Sequence, residues 1–121
     1  MLFDILTGIL SILFIVFSLL YPLRQKFKSF GKMSKLKFHC MSGYLSLLAV
    51  LIHINFKIIN PYFSAGFVAL ILLILVAVTG FLRHRFMRAK CFYYIHVSVV
   101  GILVLTFLVH FAQKIINILI M

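Results

Sequence analysis

The segment 39–53 reads HCMSGYLSLLAVLIH, an apolar run that begins and ends with histidine. The segment 96–110 reads HVSVVGILVLTFLVH and has the same form. In each segment the histidines are 14 positions apart. On an α-helix this places the second histidine only about 40° round from the first and roughly 21 Å further along the axis. Because each histidine of the second segment lies 57 positions after its counterpart in the first, one pattern is repeated in register in two halves of the chain.

The composition is that of a membrane protein. Hydrophobic residues make up 65% of the 121 residues and the mean hydropathy is +1.25, well outside the balance of soluble domains. Asp4 is the only acidic residue, against twelve lysines and arginines. These charges lie in short stretches between apolar runs, and little polar surface remains to form a groove for nucleic acid. We therefore expect membrane lipid as a partner and no nucleic acid.

Four apolar runs are each long enough to cross a hydrocarbon core of roughly 30 Å. Asn60-Pro61 separates the second run from the third, because proline cannot continue a helix. The first run has neither a basic stretch before it nor a small-residue cleavage site after it, so we expect a retained helix rather than a signal peptide. The predicted transmembrane helices cover about 3–22, 36–59, 62–82 and 91–113, the last one continuing beyond 113 or turning into the interface.

The basic residues predict the orientation of these helices. Ten of the twelve lie in the stretches 24–37 and 83–90, and the other two are Lys57 and Lys114. Because positive loops stay in the cytoplasm, we expect both stretches to be cytoplasmic and both termini external, in the plasma (inner) membrane. The predicted fold of residues 1–121 is one all-α domain. It is a four-transmembrane-helix bundle, N-out and C-out, built as a tandem repeat of two helical hairpins.

In this topology the second and fourth helices are parallel, so the histidines pair by depth. His39 is expected at the level of His96, near the cytoplasm, and His53 at the level of His110, near the outside. Two imidazoles at one depth on facing helices can be the axial ligands of a haem iron. Two such haems would lie about 21 Å apart across the membrane. The sequence therefore predicts an inner and an outer bis-histidine site that form an electron path.

Lysines and glycines accompany the histidines. Lys57 and Lys114 lie four residues past the outer histidines with no acidic partner in reach, so haem propionates could pair with them; Arg83 could serve similarly at the inner site. Gly66 and Gly80 are also 14 apart, and the antiparallel third helix puts them at the outer and inner level, where glycine permits close approach of a macrocycle. Snorkelling anchors and ordinary helix packing are the open alternatives for these residues.

Other uses of the four histidines remain open. Membrane histidines can pack helices through hydrogen bonds. A zinc or other divalent-ion pathway needs three or four ligands per site, usually with carboxylates, and Asp4 is the only one. A chlorin or another tetrapyrrole could use one histidine per ring. His84, between two arginines, is expected to be solvated or to contact lipid headgroups rather than to serve a quinone site. Cys40 and Cys91 show no CxxCH pattern, so any haem is expected to be bound without covalent bonds. Both lie beside the basic stretches, which are expected to be cytoplasmic and reducing, so both thiols are expected to be free.

This arrangement resembles the di-haem membrane cytochromes b, both the haem-bearing four-helix core of respiratory cytochrome b and the transmembrane domain of the ferric reductase and NADPH oxidase type. The stretch from His39-Cys-Met-Ser-Gly-Tyr-Leu to His53, with Thr79-Gly80-Phe-Leu-Arg83, is more similar to the second. The resemblance covers nearly the whole chain. It implies two non-covalent b-type haems, the inner one ligated by His39 and His96, the outer one by His53 and His110.

The resemblance also implies transmembrane electron transfer from a cytoplasmic-side or quinone donor to an external acceptor. Ferric reductases usually add flanking helices and many add a flavin and nicotinamide domain, whereas these 121 residues contain no G-x-G-x-x-G signature. We therefore expect an electron-transfer subunit rather than a self-contained, ferric-reductase-like enzyme, with a partner redox subunit or quinone, in a complex or homo-oligomer. The alternatives are a quinone-reactive haem anchor of a larger oxidoreductase and a non-redox tetrapyrrole- or metal-ion-binding membrane protein.

Overall fold

The computed structural model describes residues 2–20, 34–55, 65–86 and 88–121. They form four α-helices, each long and apolar enough to cross a membrane. The predicted all-α class with four spans is thereby confirmed, and the chain has the helices of a multi-pass membrane protein. The helices are α1 (Leu2–Leu19), α2 (Ser34–Asn55), α3 (Ala65–Arg85) and α4 (Lys90–Ile120).

The helix ends differ from the predicted ones by a few residues. α1 closes with a turn in which the Leu20 amide donates to the Val16 carbonyl at 3.0 Å. α3 continues to Arg85, three residues past the predicted end, so part of the predicted basic loop is helical. Arginine is a good helix former and its charge is favourable at a helix C-terminus, which accounts for the extra turn. α4 continues to Ile120, which is the first of the two alternatives for the end of this helix. The predicted ends at 22, 59 and 62 lie outside the described residues.

The helices pack as two hairpins that match the two halves of the sequence repeat. The chain divides into the compact units Met1–Ile59 and Asn60–Met121. α1 packs on α2 in the first unit, and α3 packs on α4 in the second. The orientation within each hairpin is antiparallel, since residues near the end of one helix contact residues near the start of the next.

Small side chains form the interface between α1 and α2 in the first hairpin. On α2 the buried face carries Ser42, Ser46 and Ala49, which are 3%, 1% and 5% exposed. Thr7 and Ser11 are the buried residues of α1. Small residues let two helices approach closely in a membrane, where apolar bulk gains nothing over lipid. Steps of seven residues join His39 to Ser46 and Ser46 to His53, the spacing of a left-handed helix pair.

The hydroxyls in this interface are satisfied within their own helices. Ser11 donates to the Thr7 carbonyl at 2.8 Å, and Ser46 donates to the Gly43 carbonyl at 2.7 Å. Ser42 donates to the His39 carbonyl at 3.0 Å. Because each proton is bonded to a carbonyl three or four residues back, the serines can be buried without an unmet polar group.

In the second hairpin, leucines pack between α3 and α4, and on either side of them a glycine of α3 contacts a histidine of α4. Leu73 of α3 and Leu103 of α4 are its buried apolar residues, 6% and 4% exposed. Gly66 and Gly80 lie seven residues to either side of Leu73. His96 and His110 lie seven residues to either side of Leu103. The packing period thus brings each histidine to the helix face that contacts α3.

Candidate functional site

His39 is held by the last turn of α1. Its Nδ1 lies 3.0 Å from the Ser18 carbonyl oxygen and 3.2 Å from the Ser18 hydroxyl. A carbonyl oxygen only accepts, so Nδ1 carries the hydrogen and donates it. In the neutral imidazole the lone pair then belongs to Nε2, the second ring nitrogen. The Ser18 hydroxyl donates back to the His39 carbonyl at 3.4 Å, which fixes the two helices to each other at this level.

His53 is held by the first turns of α1. Its Nδ1 lies 3.0 Å from Oγ1 of Thr7. The Thr7 hydroxyl donates to the Phe3 carbonyl at 2.9 Å. With the hydroxyl proton on that carbonyl, the threonine oxygen accepts from the imidazole and Nδ1 is again the protonated nitrogen. Gly8 lies beside the same ring, where a Cβ would stand 3.5 Å from His53 Cε1.

His96 is held in the same way by α3. Its Nδ1 lies 3.0 Å from Oγ1 of Thr79, whose hydroxyl donates to the Leu75 carbonyl at 2.8 Å. With the hydroxyl proton on that carbonyl, the imidazole is the donor and has its lone pair on Nε2. A Cβ on Gly80 would stand 3.2 Å from His96 Cε1. The side chain is 7% exposed and is thus buried inside its own hairpin.

His110 lies against Gly66. A Cβ at this glycine would stand 3.0 Å from His110 Cε1 and 3.3 Å from Nδ1, so an alanine would push the ring aside. Gly66 thus lies beside His110, and Gly80 lies beside His96, and each glycine makes room for an imidazole of its own hairpin. The predicted approach of a macrocycle at these glycines stays a prediction.

The basic residues predicted for the site take different positions. Arg83 is exposed, and its guanidinium carbon stands 4.6 Å from the centroid of the Tyr93 ring. This cation–π contact ties the end of α3 to the start of α4. Lys114 is exposed on α4, one turn past His110. Lys57 lies outside the described residues. The pairing of these cations with propionates stays a prediction.

The cysteines are free thiols on exposed positions of α2 and α4. Across 2–20, 34–55, 65–86 and 88–121, no three His, Cys, Asp or Glu side chains gather as a group that could hold a metal ion. A bis-histidine site needs only two ligands, and each predicted pair takes one from either hairpin. The pairs His39 with His96 and His53 with His110 therefore stay predictions.

The sequence did not predict the oxygen atoms that bind the histidines. Thr7, Ser18 and Thr79 lie on the two helices that carry no paired histidine, and they accept from three of the four imidazoles. One signal was present: the dipeptide Thr-Gly occurs in α1 as Thr7-Gly8 and in α3 as Thr79-Gly80. In both helices the pair faces a histidine of the neighbouring helix.

A histidine that binds a metal commonly donates its second ring N–H to an oxygen, which fixes the ring and strengthens the binding nitrogen. The hairpins provide this arrangement three times, at His39, His53 and His96. With Nδ1 protonated, each of these neutral imidazoles has its lone pair on Nε2, the form in which histidine can act as a metal ligand. Comparison with protein-family models, with curated proteins and with solved structures finds no match.

Proposed function

We propose that the protein transfers electrons across the plasma membrane through two b-type haems, each held without covalent bonds between two histidines. His39 and His96 ligate the inner haem, and His53 and His110 ligate the outer one. The observation that carries the proposal is the contact of Nδ1 with an oxygen of the neighbouring helix at three of the four histidines, to which we assign Nδ1–H as the donor. It leaves Nε2 as the nitrogen with a lone pair, the form in which imidazole binds iron.

The donor set fits haem better than a protein-bound divalent ion. Neutral imidazoles in pairs are the usual axial ligands of b-type haem, whereas zinc sites take three or four protein ligands. The two levels are about 21 Å apart along each helix, which gives two separate sites on one path. When bound, each haem iron carries one electron by cycling between its ferric and ferrous states. Lys57 and Lys114 at the outer site and Arg83 at the inner site supply cations for the propionates.

The protein acts as a relay rather than as a complete enzyme. Two histidines on each iron leave no open coordination position, so substrates such as oxygen do not bind at the metal. The electron donor is a cytoplasmic-side redox partner or a quinone, and the acceptor is external. A chain with this much lipid-facing surface works in a complex or as a homo-oligomer. The basic stretches 24–37 and 83–90 face the cytoplasm and both termini face outward.

A haem determination on the purified protein tests this function. The expected result is two non-covalent haems per chain with the reduced absorption spectrum of bis-imidazole b-type haem. A folded, membrane-extracted preparation that binds no haem would overturn the proposal and favour histidines that only pack helices. A chlorin-type spectrum would identify a tetrapyrrole-binding protein without an electron path. Two haems that are reduced by a quinol would identify a quinone-reactive anchor of a larger oxidoreductase.

A further inference from the structure

We infer that Thr7 and Thr79 are positioning residues of the two sites, because their hydroxyl oxygens determine which nitrogen of His53 and His96 can bind iron. Each oxygen accepts the Nδ1–H of an imidazole on the neighbouring helix, at 3.0 Å in both cases. The consequence for haem rests on the proposed function. The tautomer itself belongs to the haem-free chain and can be measured there.

The direction of these hydrogen bonds follows from the second bond of each hydroxyl. Thr7 donates to the Phe3 carbonyl at 2.9 Å, and Thr79 donates to the Leu75 carbonyl at 2.8 Å. In both cases the carbonyl three residues back is also near, at 3.2 Å from Thr7 and 3.1 Å from Thr79. We therefore assign the single proton of each hydroxyl to a carbonyl of its own helix, which leaves the oxygen to accept from histidine. A hydroxyl that donates is also polarised into a better acceptor.

The glycine after each threonine completes the arrangement. At Gly8 a Cβ would stand 3.5 Å from His53 Cε1, and at Gly80 it would stand 3.2 Å from His96 Cε1. The Thr-Gly pair thus gives the ring an oxygen at Nδ1 and room at the adjacent carbon. One pair occurs in each hairpin, facing the second histidine of α2 and the first histidine of α4. If the histidines pair by depth as predicted, one of the two histidines at each haem is positioned by a Thr-Gly pair.

This contact changes the chemistry of the iron ligand. An imidazole that donates its Nδ1–H to an oxygen is a stronger electron donor through Nε2. It binds iron more tightly and favours the ferric state. Loss of the acceptor therefore weakens haem binding and raises the reduction potential of that haem. T7V removes the acceptor from the outer site, and T79V removes it from the inner site, at nearly constant side-chain shape.

Nitrogen-15 NMR of histidine-labelled, haem-free protein in detergent micelles, at a pH where imidazole is neutral, tests the tautomer directly. We expect His53 and His96 to hold the hydrogen on Nδ1 in the wild type. T7V should lower that population for His53 alone, and T79V for His96 alone. T106V is the matched control, since Thr106 donates to the Ile102 carbonyl at 2.9 Å within α4. Unchanged tautomers in both T7V and T79V would overturn the inference whether or not the chain binds haem.

Haem titration and redox titration test the consequence. T7V is expected to weaken binding of one haem about 10–100-fold and to raise its potential while the other haem keeps its wild-type values. T7S restores the oxygen and is expected to restore both values, which separates positioning from general loss of fold. If the wild-type protein binds no haem in the titration, the proposed function is wrong, whereas the NMR result on the tautomers stays valid. If T7V and T79V bind two haems with wild-type affinity and reduction potential, the threonines are not positioning residues. The proposed function would remain intact in that case.

Discussion

Single side chains set the geometry of the four histidines, and they do so within each hairpin. His39 has a carbonyl as its acceptor, whereas His53 and His96 have threonine oxygens. His110 lies against the glycine with the tightest clearance, 3.0 Å to the position of an added Cβ. The helices without paired histidines thus decide how the histidine rings are oriented. Changes on α1 and α3 should therefore affect the sites as strongly as changes close to the ligands.

His53→Ala is expected to remove the outer haem and leave the inner one, because only the outer site uses this ligand. Haem content of the purified variant should fall from two per chain to one. His84→Ala is the control, since His84 is exposed at the end of α3 and is expected to leave both haems in place. Loss of neither haem in H53A would refute the proposed pairing of histidines.

G66A is expected to be less stable than G101A by about 1–3 kcal/mol, the usual cost of overpacking, because both variants gain the same helix propensity from alanine. The added methyl carbon would stand 3.0 Å from His110 Cε1, so the imidazole must move and the outer haem should be lost more readily. Thermal unfolding in detergent and haem retention measure the two effects. G101A is the matched control, because no atom lies within 4 Å of its added Cβ and alanine favours helix by about 1 kcal/mol. Equal stability of both variants would contradict the role of Gly66.

At the scale of helices, the apolar runs and the histidine period predicted most of what is present. Four helices and their grouping into two hairpins follow from spacing alone. The partners Thr7 and Ser18 could not be predicted, because a hydroxyl residue in a membrane helix usually bonds its own backbone and the facing direction of α1 depends on packing. The extra turn of α3 to Arg85 was missed because charge indicated a loop, although arginine continues a helix well.

L73A is expected to weaken the packing of α3 on α4 by about 2 kcal/mol through the cavity it leaves. Leu73 is 6% exposed between the two glycine levels. L75A is the control, because Leu75 is 44% exposed on the same helix and lies about 200° round the helix from Leu73. Unfolding in a denaturing detergent should shift for the first variant and stay near wild type for the second. Equal shifts would mean that the leucine layer does not hold this hairpin together.

For the whole molecule, the distribution of lysine and arginine predicts a cytoplasmic turn between α3 and α4 and an external C-terminus. Single cysteines at two exposed positions test this orientation in a Cys40→Ser, Cys91→Ser background. R88C is expected to react with a membrane-impermeant maleimide only after the cytoplasmic side is opened, and K114C is expected to react in intact cells. The reverse labelling pattern would invert the membrane orientation and exchange the inner and outer sites.

The internal hydrogen bonding of the hairpins has a consequence for biogenesis. Among the described residues, no buried side-chain nitrogen or oxygen lacks a hydrogen-bond partner. The buried serines of the first hairpin donate to carbonyl oxygens of their own helices. Three of the histidines have an oxygen of the neighbouring helix in the same hairpin as their hydrogen-bond partner. A translocon can therefore release each helical pair into lipid with its polar groups already covered. Under the proposed function, insertion then does not have to wait for haem delivery, and the haem-free chain is expected to remain in the bilayer.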